Sequence, residues 1–119
     1  MGSDLVRNGY ALDRYESPFG YFSRDGEGMP LMCWANMMKN GAYQNVAQTL
    51  FGPGERVSTV WLGLNSSPLV PPPGLIFETM VFAERSEMHQ EQWRYGSLDA
   101  AIEGHDIVSL VLARELKYV

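Results

Sequence analysis

The chain has 119 residues and a formal charge of −5, with 45% hydrophobic, 12% aromatic and 19% charged residues. This size and balance fit one globular domain with a single core and exclude extensive disorder. An acidic chain without a basic stripe is not expected to bind nucleic acid, and no apolar run reaches the roughly 18 residues that would cross a membrane.

Residues 1–20 are rich in Gly, Asp, Arg, Ser and Tyr and read as a flexible N-terminal arm, leaving 21–119 as the single domain. The start MGSDLVRNGY lacks the apolar stretch of a secretory signal. The single cysteine, Cys33, excludes an intramolecular disulfide. Both features suggest a cytoplasmic, reducing setting. A short extended piece is expected at Tyr21-Phe22-Ser23, followed by a turn at Asp25-Gly26-Glu27-Gly28.

Pro30 suits the first turn of a helix, since its missing N–H is not needed there. In LMCWANMMKN, Leu31, Trp34, Ala35 and Met38 recur at helical spacing, and Lys39 with Gly41 marks the stop. Cys33 falls inside this segment and is expected to be a buried structural thiol.

Three strand-like runs follow, at 42–51, 56–64 and 75–82. Gly52-Pro53-Gly54-Glu55 joins the first two as a hairpin loop. The proline-rich stretch 65–74 reads as a loop beside the sheet, because its prolines remove hydrogen-bond donors. A fourth strand is expected at Gln92-Trp93-Arg94-Tyr95.

The clearest helix spans 97–116. Ser97 is its N-cap, and Asp99 complements the positive end of the helix dipole. Its apolar stripe is Leu98, Ala101, Ile102, Val108, Leu112 and Leu116, with His105 on the same side; Asp99, Glu103, Asp106 and Arg114 lie off it. The order of elements points to an α+β fold: a small antiparallel sheet of three to five strands, with the long C-terminal helix and a short N-terminal helix on one face.

The runs RVSTVWLGLNSS, LIFETMVF and WRYGSLDAAIEGH resemble a family of small uncharacterised phage and prophage proteins. Its members carry a segment like VSTV(W/F)LGLDH, then FETM(V/I)F, then RY and an alanine-rich helix with GH. The resemblance covers roughly residues 21 to 110. The family's Asp-His after the second strand is Asn65-Ser66 here, so any role of that histidine does not transfer. The resemblance implies a setting rather than an activity, namely an accessory protein of a virus or prophage in the bacterial cytoplasm.

Known chemical signatures are weak. His89 and His105 lack ligand spacing, neither Gly-Pro-Gly nor Gly-Glu-Gly matches a phosphate cradle, and no nucleophile elbow is present. No cofactor or metal is implied, and no catalytic dyad has a recognised spacing. His89 reads as a solvated loop residue, and His105 as a satisfied, half-buried histidine.

The most informative residue is Glu78. Alternation places it with Ile76, Met80 and Phe82, on a face where an unpaired carboxylate is costly. That face lines a polar pocket, or Glu78 has a cation such as Arg94 or Arg56, or the face is wet.

If the strands pair in order, Trp61 and Glu78 lie on adjacent strands near the proline-rich loop. Asn65, Trp93, Arg94, Tyr95 and His105 complete a candidate ligand site. Aromatic faces with an arginine and a carboxylate suit a planar polar ligand.

The expected function is that of a noncatalytic phage protein that inhibits host defence by sequestering a nucleotide-type immune signal, such as a cyclic nucleotide or an ADP-ribose-type molecule. The alternatives are a protein-targeting inhibitor of a host effector and a small nucleotide hydrolase with Glu78 as base and His105 as acid. An exposed strand edge and a methionine-rich helix also suggest a homo-oligomer.

Overall fold

A computed structural model describes residues 20–65 and 69–117. The expectation of an arm at 1–20 lies outside the described residues, except for Gly20. The chain folds as α+β, with a two-stranded and a four-stranded antiparallel sheet and a long C-terminal helix.

β1 (Tyr21–Phe22) and β2 (Gly28–Met29) form a small hairpin around the expected turn, where Gly26 has φ +84°. α1 (Leu31–Met37) follows, preceded by Pro30 in extended conformation. α2 (Gly41–Gln44) is a single turn whose first N–H groups are capped by Asn40: its side chain accepts from Ala42 N and Tyr43 N. This cap corrects the expected strand at 42–51, because Ala42, Tyr43 and Gln44 are helical and the strand begins at Asn45.

β3 (Asn45–Gly52), β4 (Glu55–Trp61), β5 (Phe77–Phe82) and β6 (Gln92–Tyr95) pair in sequence order. The β3–β4 turn is made by Pro53 and Gly54, the latter at φ +75°. β4 ends at Trp61 rather than at residue 64; Leu62 to Leu64 turn aside, and Leu64 bridges to Tyr21 instead. Gly63 makes that departure, with φ +68° and the rings of Trp61 and Trp34 where a Cβ would stand.

α3 (Leu98–Glu115) starts at Ser97, whose hydroxyl accepts from Ala100 N, and packs Ala101, His105, Val108 and Leu112 onto the sheet. On the sheet's inner face Val57, Thr59 and Trp61 of β4 stand beside Val81, Thr79 and Phe77 of β5. Ile102, expected on the buried stripe, is 43% exposed because it lies at the edge of the helix-to-sheet contact.

The core has two apolar ends. One comprises Val57, Val81, Ala83, Val108, Leu112 and Leu116. The other gathers around Trp61, Ile76, Phe77 and Ala101, with Trp34, Met37 and Met38 closing over it from α1 and the turn after it. Cys33 takes no part in either. It is exposed, which overturns the expected core thiol: Trp34 and Met37 supply the buried side of α1, and Cys33 faces away. No helix among the described residues is long and apolar enough to cross a membrane.

Candidate functional site

Between the two apolar ends lies a polar layer. His105 is 3% exposed; its Nδ1 stands 2.7 Å from Thr59 Oγ1 and its Nε2 stands 2.9 Å from Thr49 Oγ1. Thr59 Oγ1 is in turn 2.5 Å from Thr79 Oγ1. Strand register builds the chain of contacts, since Thr59 and Thr79 are direct cross-strand partners.

Either neutral tautomer satisfies the whole layer. One ring nitrogen donates to its threonine and the other accepts from a hydroxyl proton. Burial holds the His105 pKa below its ordinary value, and the nearby Asp106 carboxylate opposes this only in part. With both ring nitrogens engaged, His105 is a structural centre, as its position on an apolar stripe suggested.

The opposite face of the sheet carries Glu78. It sits in register with Val60 on one side and Arg94 on the other, and Arg94 Nε donates to Glu78 Oε2 at 3.2 Å. The side chains are 16% and 43% exposed respectively, so the pair is half wet and contributes little stability by itself. The answer for Glu78 is thus an arginine partner on a partly open face.

Beyond this pair, Arg94 borders a cleft of about 290 Å³ together with Trp34, Met38, Leu62 and Leu64. Trp34 is a fixed wall of it. Its indole N–H donates to Leu62 O at 2.9 Å, and its ring lies 4.8 Å from that of Tyr21. Among the described hydrogen bonds only the Nε of Arg94 is engaged, which leaves the two terminal nitrogens for an incoming acceptor. The cleft is thus apolar on most sides, with one guanidinium held in orientation by a carboxylate.

A larger depression of about 460 Å³ lies between the β1–β2 turn, Pro73 and the start of α3. It suits an anion poorly. Its Arg24 is committed to the Tyr43 carbonyl at 3.1 Å, and Asp25 and Asp99 both line it.

The sheet divides the residues singled out from the sequence. Glu78 and Arg94 meet on the outer face. Trp61 is 1% exposed within the core, donating from its indole to Phe22 O at 2.9 Å. Trp93 and Tyr95 pack on the inner side against the two core clusters, with the Tyr95 ring against Gly104. Asn65 is buried under Gly74, its amide donating to Val70 O at 3.4 Å, and organises the proline-rich loop.

Glu78 and His105 therefore stand on opposite faces of one sheet and cannot act on one substrate as a base and acid pair. His89 is not free in solvent. Its Nδ1 accepts from Ala83 N at 2.9 Å and closes the β5–β6 loop.

Sequence reasoning missed Trp34, Met38, Leu62 and Leu64 as cleft residues, because they come together only through the bend at Gly63. It also missed the threonine layer, although Thr59 and Thr79 sit on the same alternating pattern that drew attention to Glu78. Among the described residues no cluster of three or more His, Cys, Asp or Glu could hold a metal ion. Comparison with known proteins returns no matching family model, no similar curated protein and no similar solved structure.

Proposed function

We propose that the protein is a noncatalytic binding module that captures a nucleotide-type small molecule in the cleft bordered by Trp34, Met38, Leu62, Leu64 and Arg94. The observation that carries this reading is the approach of a pinned aromatic wall and a carboxylate-oriented arginine to one concavity. A ring of the ligand lies along Trp34 and the apolar side chains, and the terminal nitrogens of Arg94 take its phosphate or carbonyl oxygens.

Size narrows the ligand. Small-molecule sites commonly run from about 300 to 1,000 Å³. At about 290 Å³ the cleft holds one base-sized ring, with the remainder of the ligand at its mouth. Together with the resemblance to phage and prophage proteins, this supports a role in the host bacterial cytoplasm as an inhibitor of defence, sequestering a cyclic nucleotide or an ADP-ribose-type signal. Stoichiometric capture needs no catalytic group.

The test is calorimetric titration of the chain and of Arg94→Gln with ADP-ribose and with 3′,5′-cyclic AMP. Saturable one-to-one binding is expected for one of them, weakened at least about tenfold in the variant through loss of a charge-assisted contact. Absence of binding to both, equal binding by the variant, or conversion of the ligand at catalytic ratios would overturn the reading.

A further inference from the structure

α3 presents a second apolar surface, on the side away from the sheet. Ile107 is 55% exposed, Leu110 51% and Val111 47%. With about 3.6 residues per turn, Glu103, Ile107, Leu110 and Arg114 fall on one line at spacings of four, three and four, nearly opposite the buried Ala101, His105, Val108 and Leu112. This is the spacing of a coiled-coil seam, with two apolar positions in the middle, an acid at one end and a base at the other. Among the described residues neither Glu103 nor Arg114 enters an ion pair.

We propose that this face is covered by the same face of a second copy, with the two α3 helices antiparallel about a twofold axis. Charge complementarity selects both occupant and direction. In an antiparallel pair with the axis between Val108 and Ser109, Ile107 meets Leu110 of the other copy and Glu103 meets Arg114, each twice. A parallel pair would set Glu103 against Glu103 and Arg114 against Arg114, which is repulsive.

The helix is also segregated along its length. Asp99, Glu103 and Asp106 occupy its first half, while its end is net basic, with Arg114 and Lys117 on either side of Glu115. Antiparallel alignment therefore lays the acidic half of each copy against the basic end of the other. A twofold contact of this kind is self-complementary and closes at two copies. No residue of α3 lines the cleft beside Arg94, so pairing through this helix face does not use the cleft's walls.

Sedimentation equilibrium over a wide concentration range tests the pairing, with far-ultraviolet circular dichroism to check folding of each variant. Concentration-dependent dimer is expected for the parent chain. Glu103→Arg and Arg114→Glu should each raise the dimer dissociation constant at least about tenfold, since each opposes like charges at two symmetric contacts. The double charge exchange, Glu103→Arg with Arg114→Glu, should restore it. A chain that remains monomeric at the highest concentration, or a double variant as weak as the singles, would overturn the proposal. A dimer that survives Ile107→Glu and Leu110→Glu together, which would set like charges against each other at both central contacts, would do so as well.

Discussion

His105 Nδ1 lies 2.7 Å from Thr59 Oγ1, and this bond ties the long helix to the middle of the sheet through a fully buried hydroxyl. Thr59 serves two partners, whereas Thr79 serves Thr59 alone among the described side-chain hydrogen bonds. Thr59→Val should therefore strand both a ring nitrogen and the Thr79 hydroxyl, at a cost of about 1–3 kcal/mol. Thr79→Val leaves Thr59 its histidine and should cost only about 0.5–1.5 kcal/mol. Urea unfolding of the two variants reads the order directly; equal losses would show that Thr59 is not the hub.

The same layer makes stability pH-dependent in a definite direction. Burial lowers the folded-state pKa of His105 below the ordinary value of 6.5, so the unfolded chain binds a proton first on acidification. The contribution is complete above pH 6.5, declines as pH falls toward the lowered folded-state value, and is constant below it. Urea midpoints measured between pH 7.5 and 5 should fall with acid in the parent chain, and this component should vanish in His105→Gln. An identical slope in the variant would assign the effect to other groups.

Gly63 joins the core to the cleft. Its φ of +68° disfavours any side chain, and a Cβ would meet the rings of both Trp61 and Trp34. Gly63→Ala should cost at least about 1–3 kcal/mol from the backbone alone, with displacement of a buried tryptophan added. Thermal melting with tryptophan emission measures both consequences. A variant with parental stability and emission would contradict the packing described for the bend.

Cys33 lies on the exposed side of α1. Cys33→Ala should change stability by no more than about 0.5 kcal/mol, as an open surface substitution does. The thiol should also react with a small aromatic disulfide reagent in the native protein as fast as after denaturation. A thiol protected until unfolding would place it inside.

Glu78→Gln separates support of the ligand site from support of the fold. The pair with Arg94 is partly solvated, so its loss should alter stability by less than about 1 kcal/mol. Ligand affinity should fall further than stability, because Arg94 loses the partner that orients it. A melting loss of several kcal/mol without a binding defect would make the carboxylate purely structural.

The fold was largely legible because alternation and punctuation are local signals. FETMVF paired with the strands before and after it in sequence order, and Ser97 capped the helix it was expected to cap. Where reading failed, a local competitor decided. Asn40 capped a helical turn that the strand-like run Ala42 to Phe51 concealed, and Gly63 ended β4 before its apolar residues ended.

The candidate site was legible as residue types but not as a place. Pairing in sequence order put Trp61 and Glu78 on adjacent strands, as expected. The alternation that placed Glu78 outward also placed Trp61, on the neighbouring strand, inward. Trp34 was placed on the apolar side of the short helix but not beside Leu62, because that contact depends on how the segment after β4 turns back past α1.

The most direct test of the cleft is a nitrogen-15 NMR titration with ADP-ribose and, separately, with 3′,5′-cyclic AMP, following amide, indole and arginine Nε signals. Binding in the cleft should move the Trp34 indole, the Leu62 and Leu64 amides and Arg94 Nε–H, while the Thr59 and His105 amides stay in place. Shifts centred instead on Arg24, Gly26 and Ser97, or on the inner-face residues Trp93 and Tyr95, or no shift with either ligand, would contradict it.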